Sequence, residues 1–160
     1  MASERPAHPN AEAIRRFYTA FQKRDAAGMI AEYHAQVRFS DPVFQDLQGD
    51  RARAMWRMLT ERARDIVLEF RDVDADDTMG GAHWEARYTF GATGRKVHNV
   101  IEARFGFHEG KIIEHVDSFD LWRWAGMALG PTGKLLGWAP FVQNGIRKRA
   151  LEGLDAFMAR

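Results

Sequence analysis

From Ile66 to Leu121 the apolar residues recur at alternate positions rather than at helical spacing, and this long stretch constrains the fold most. Ile66, Leu68 and Phe70 alternate with Val67, Glu69 and Arg71. Three strands follow, at roughly 82–91, 96–106 and 111–121, divided by the turn signals Gly91-Ala-Thr-Gly94 and His108-Glu-Gly110. Long strands joined by tight turns make an antiparallel meander, and such a sheet must lay one face on other apolar elements.

Those elements precede it. Asn10 is placed to cap a helix carrying Ile14, Phe17, Tyr18 and Phe21, ending near Arg24. Asp25 is placed to cap a short second helix through about Tyr33, with Met29, Ile30 and Tyr33 inward. Val37 to Ser40 reads as a strand that stops at Asp41-Pro42, because proline cannot extend a ladder. Gly49-Asp50 opens a third helix bearing Met55, Trp56 and Leu59. Helices first and strands afterwards predict an α+β domain in which a curved, mostly antiparallel sheet wraps the N-terminal helices.

The two ends read differently. Residues 1–9 hold two prolines and little apolar content, which predicts a flexible tail. Residues 122–160 form a helical extension of the same domain. Trp122 to Leu136 is aromatic and glycine-rich, and Pro140 starts a long final helix with the stripe Val142, Ile146, Leu151, Leu154 and Phe157. The basic triplet Arg147-Lys148-Arg149 reads as its solvated face.

Composition narrows the chemistry. The 160 residues fit one domain, and 23 Lys and Arg against 22 Asp and Glu argue against a nucleic-acid partner. With no cysteine, disulfides, thiolate metal sites and a cysteine nucleophile are excluded. No apolar run is long enough to span a membrane, and residues 1–6 do not read as a signal peptide. A cytoplasmic protein without a membrane partner is the expectation.

Several stretches then resemble SnoaL-like and ketosteroid isomerase-like members of the nuclear transport factor 2-like superfamily. They are Phe17-Tyr-Thr-Ala-Phe-Gln-Lys-Arg-Asp25, Met29-Ile-Ala-Glu-Tyr33, Phe39-Ser-Asp-Pro-Val43, Gly49-Asp-Arg-Ala-Arg-Ala-Met-Trp56 and Val100 to Asp117, ending in Phe119-Asp-Leu121. The resemblance covers about residues 10–121. It implies a cone-shaped sheet around a deep pocket, usually in a homodimer, and chemistry without a cofactor.

It also implies roles. Asp41 aligns with the general base of ketosteroid isomerases, Glu102 with their oxyanion-stabilising acid, and Phe17 with their oxyanion tyrosine. Phenylalanine cannot donate a hydrogen bond, and Tyr18 points about 100° away on a helix. Glu114-His-Val-Asp117 resembles the corresponding SnoaL-like stretch, which sets His115, Asp117 and Phe119 on the pocket face. By the same alternation His98, Glu102 and Arg104 face inward on the neighbouring strand, and Trp84, Ala86 and Tyr88 on the next. Trp56, Trp84, Tyr88, Arg104, Phe119 and Phe17 would line the pocket around Asp41, Glu102, His115 and Asp117. No metal site is expected, since His98 and Glu102 stand about 13 Å apart along a strand.

Two functions fit this reading. One is a cofactor-independent isomerase, cyclase or lyase acting on a small apolar oxygenated ligand, with Asp41 as acid–base. An epoxide hydrolase built on Asp41, Arg104 and Asp117 is a variant of it. The other is a non-catalytic ligand-binding or dimeric interaction module. A cone closed and filled by side chains would favour the second.

Overall fold

The computed structural model describes residues 6–160. Six strands form one sheet in the order β2-β1-β6-β5-β4-β3. They are β1 (Tyr33–Ser40), β2 (Leu47–Gln48), β3 (Val67–Ala75), β4 (Met79–Phe90), β5 (Arg95–His108) and β6 (Lys111–Ser118). All neighbours pair antiparallel except β1 with β6, which run parallel with Phe39 opposite His115 and Ser40 opposite Val116. That single parallel pair brings the ends of β1 and β6, and therefore Asp41 and Asp117, to one end of the sheet.

Two helices supply most of the filling. On α1 (Pro9–Gln22), Ile14, Phe17, Tyr18 and Phe21 are buried, and on α3 (Asp50–Arg62), Ala52, Met55, Trp56 and Met58 are buried. They meet the inner residues of the sheet, among them Val37, Phe39, Leu68, Trp84, Ile101, Phe105 and Ile112, in one continuous core. Each large apolar side chain buried there contributes on the order of 1.5–3 kcal/mol. The β5–β6 hairpin turns on Glu109 and Gly110, both at positive φ (53° and 76°), the conformation that a two-residue turn between twisted strands requires.

Some boundaries differ from expectation. Part of the expected tail, residues 1–5, lies outside the described residues. His8, not Asn10, caps α1: its Nδ1 accepts the Asn10 N–H at 3.0 Å, while the Asn10 amide donates to the carbonyls of Asp76 and Asp77. The second helix, α2 (Ala26–Ile30), is capped by Asp25 as expected but stops sooner, and Tyr33 already begins β1. The C-terminal extension forms α4 (Leu121–Leu129), α5 (Pro131–Leu136) and α6 (Pro140–Met158). α4 builds a second, smaller core from Leu121, Trp124, Ala125 and Ala128 against Val97, joined by Val43, Tyr88 and Phe119.

Candidate functional site

The inner face of β6 carries His115 and Asp117, and a chain of hydrogen bonds runs through them. The Trp56 indole N–H donates to the Tyr33 hydroxyl at 2.8 Å, so that hydroxyl turns its own proton toward His115 Nδ1, 2.7 Å away. With Nδ1 accepting, the imidazole proton sits on Nε2 and points at Asp117 Oδ1, at 3.0 Å. The Trp84 indole N–H reaches the same oxygen at 3.3 Å. Every donor in the series is directed toward the Asp117 carboxylate.

This chain is buried throughout. The His115 and Asp117 side chains are 0% and 2% exposed. Phe17, Tyr33, Phe39, Trp56 and Phe105 surround the imidazole with ring centroids 4.4–6.1 Å from it. Burial pushes the Tyr33 and Tyr18 phenols well up from their ordinary range. The Tyr18 hydroxyl, against Phe70 and Trp84, is buried without a hydrogen-bond partner among the described residues. Phe17 and Trp56 are thus inside as packing around the histidine, and Trp84 is inside against Tyr18 and Phe21.

Asp41 follows the end of β1, at the end of the sheet that also holds Asp117. Its Oδ1 accepts the backbone N–H groups of Val43 (2.7 Å) and Phe44 (2.6 Å), the Asx-turn geometry that an Asp-Pro corner favours. Asp41 Oδ2 has no hydrogen bond among the described residues, and the residue is half-buried. Loss of water raises its pKa to about 7 against the pull of the Phe44 N–H, and the Asp117 charge adds to the rise. The Asp41 charge is felt in turn at the Tyr88 phenol, which burial raises while Trp124 holds its oxygen at 2.8 Å.

Glu102 and Arg104 are not brought to this site. Both are exposed on the outer face of β5, and His98 is on that face too. An unbroken two-residue hairpin at Glu109-Gly110 would set His115 opposite Arg104 and Asp117 opposite Glu102. A bulge at Ile113 shifts the register by one residue, so His115 faces Phe105 and Asp117 faces Ala103. Glu102 instead binds His83 Nδ1, whose Nε2 meets Glu85 at 2.9 Å, and Glu85 reaches His98 at 2.8 Å. The two carboxylates raise the His83 pKa, Glu102 most.

The interior is packed, and the C-terminal extension lies against Tyr88 and the corner after Asp41. Phe119 bridges the two cores, and α4 sets Trp124 over Tyr88. The Arg147 guanidinium on α6 donates to the Pro42 carbonyl at 2.9 Å, tying the corner after Asp41 to the extension. Two shallow hollows of about 350 Å³ open on the surface, and neither is lined by Asp41, His115 or Asp117. One of them, bounded by Arg87, Lys96, His98 and Met127, shares only Tyr88 with the expected pocket.

Elsewhere His34, His108 and Glu109 hold ligand-type atoms within 4.8 Å of one another. His34 Nδ1 already accepts the Gln36 N–H at 3.0 Å, so the neutral ring carries its proton on Nε2 and offers no lone pair to an ion. Tyr33, in the buried chain, and Trp124, which donates to the Tyr88 hydroxyl, are not among the residues the sequence marks as site residues. Tyr33 could have been found by extending the alternation of Phe39 and Val37 backward. Trp124 sits on an aromatic helix whose target the sequence does not mark.

No curated protein matches this sequence. The fold is shared with solved structures of low identity. A candidate SnoaL-like polyketide cyclase from a Jannaschia species matches with TM-score 0.69 and 15% identity, over 82% of this chain and 99% of that one. An LEH-like epoxide hydrolase from M. tuberculosis matches at 0.61 and 18%, over 82% and 96%. A nuclear transport factor 2-like protein of unknown function from Burkholderia pseudomallei matches at 0.63 and 21%, over 71% and 92%. The model of the SnoaL-like domain matches residues 14–115, which take in most of α1, all of α3 and the bulged hairpin as far as the buried histidine, and the chain belongs to the SnoaL-like family.

Proposed function

We propose that this chain is a non-catalytic SnoaL-like module, in which the cone has become a packed scaffold and the C-terminal extension seals its mouth. The observation that carries this reading is His115: fully enclosed, with both ring nitrogens engaged by Tyr33 and Asp117 and five aromatic rings around it. A group with no approach for a substrate and no unpaired valence is doing structural work. The homodimer implied by the resemblance belongs to the same reading and is measured by sedimentation.

A second reading rests on Asp41. A half-buried carboxyl with a pKa of about 7, one free oxygen and a tyrosine nearby is poised as a general base or acid. In this reading α4 swings away to admit a small apolar oxygenated ligand, as an isomerase, cyclase or lyase would require. Arg104 on the outer face counts against the epoxide hydrolase variant. The test is a panel of ketones, enones and epoxides with wild type, Asp41→Asn and Trp124→Ala, the last to loosen the cover. The module reading expects background rates from all three. Turnover by wild type that Asp41→Asn abolishes would establish the enzyme instead.

A further inference from the structure

Eight large apolar side chains stand exposed on the described surface, and five of them fall between residues 122 and 141. Trp122 is 49% exposed, Leu135 73%, Leu136 39%, Trp138 56% and Phe141 70%. Single exposed apolar residues are ordinary, but a cluster marks a surface that meets something. The cluster is held firmly. The Trp122 indole donates to the Lys134 carbonyl and that of Trp138 to the Leu135 carbonyl, each at 2.9 Å. α4 and α5 approach so closely that a Cβ on Gly133 would lie 2.0 Å from the Ala125 carbonyl oxygen. Both indole N–H groups are satisfied locally, which leaves the rings free to present apolar surface outward.

The charge along this segment has one sign. From Leu121 to Leu151 there are five basic residues and no acidic one, in a chain whose total is 23 basic to 22 acidic. The remainder of the chain is therefore net acidic. Lys134, Lys148 and Arg149 are exposed and have no ion-pair partner among the described residues. Lys148 follows Phe141 by seven residues on α6, which returns it to the same helix face. Apolar and aromatic side chains beside unpaired lysines and arginines are the composition of a segment that lies in a bilayer interface.

We propose that the corner formed by α4, α5 and the start of α6 docks on an anionic phospholipid surface, with Leu135, Trp138 and Phe141 entering the headgroup boundary and Lys134, Lys148 and Arg149 facing the lipid phosphates. The absence of a spanning helix among the described residues is compatible with this, because such a contact lies on the membrane without crossing it. A second copy of the chain fits the same face poorly. Pairing it with itself would bring ten basic residues together with no acidic partner in either segment. The proposal stands apart from whether the cone turns over a substrate.

Vesicle flotation tests it, using phosphatidylcholine alone and phosphatidylcholine mixed with phosphatidylglycerol, at low and physiological salt. The wild type is expected to float with the anionic vesicles, less at higher salt, and to stay behind with the neutral ones. Lys148→Gln/Arg149→Gln should lower the partition coefficient about twenty-five-fold, at about fivefold per charge removed. Leu135→Ser/Phe141→Ser should abolish flotation. These positions are exposed, so both variants should keep the wild-type melting temperature. No flotation with anionic vesicles at low salt overturns the proposal, as does flotation that neither double variant changes. A wild-type dimer that Leu135→Ser/Phe141→Ser converts to monomer, without any vesicle binding, also overturns it and assigns the face to a second copy.

Discussion

Replacing Asp41 with Asn removes one ionisation while leaving the corner intact. An asparagine Oδ1 accepts the Val43 and Phe44 N–H groups as the carboxylate does, and its amide takes the place of the free Oδ2. The folded protein raises this carboxyl from 3.8 to about 7, so it holds the proton more tightly than the unfolded chain. The contribution of this group to stability is then most favourable at low pH and falls as pH climbs from 3.8 through about 7, levelling off above. Between pH 5 and pH 8.5 the loss is about 2.5 kcal/mol at most. Because the residue is half-buried, water reaching it should cut that to about 1.5 kcal/mol. Urea unfolding followed by tryptophan fluorescence at both pH values, on wild type and Asp41→Asn, reads the effect directly. The variant should be the more stable protein at pH 8.5, with the advantage shrinking toward pH 5. A parallel pH dependence in the two proteins would refute the reasoning, because it would mean that Asp41 is as well hydrated folded as unfolded.

Three more outcomes follow from the same geometry. Tyr18→Phe removes a buried hydroxyl that has no partner and should raise stability by about 1 kcal/mol in chemical denaturation; a loss of that size would reveal a bond to this oxygen. His115→Phe keeps an aromatic ring but strips the Tyr33 hydroxyl and the Asp117 carboxylate of their shared partner, so it should cost about 3–5 kcal/mol. A loss under about 1 kcal/mol would show that the chain of bonds does not hold the core. His83 has a raised pKa in the folded state, so its contribution is full below about pH 6.5 and fades as pH rises through the raised value. His83→Gln should therefore destabilise at pH 6 and approach wild type at pH 9, read from urea midpoints at each pH.

Much of the fold is legible in the sequence because most elements depend on local signals. Helical spacing marks α1 and α3, Glu109-Gly110 marks the hairpin, and Pro140 marks the start of α6. The inner face of β6 is legible too, since His115 and Asp117 do point inward. What fails is the step from one strand to the next. The parity of β5 relative to β6 rests on a single unpaired residue, and Ile113 carries no turn residue or glycine to announce it. Glu102 and Arg104 were therefore assigned to the wrong side of the sheet. Nor does the sequence distinguish aromatic residues that line a cavity from those that fill one. Phe17, Trp56 and Trp84 suit either, and only the position of His115 among them decides it.

The Ile113 bulge decides which face of β6 is inside. Pairing the hairpin without it at unchanged length would turn His115 and Asp117 out to solvent and Glu114 and Val116 into the core, whereas deleting Ile113 would straighten the strand and keep His115 opposite Phe105 and Asp117 opposite Ala103. Substitutions on either face change one contact at a time; loss of the bulge with Ile113 retained exchanges an entire face. The segment can therefore tolerate drift in side chains, and even the loss of Ile113, better than a change that flattens it. One unpaired residue acts as a parity switch for the sheet and selects which side chains of β6 the protein keeps inside.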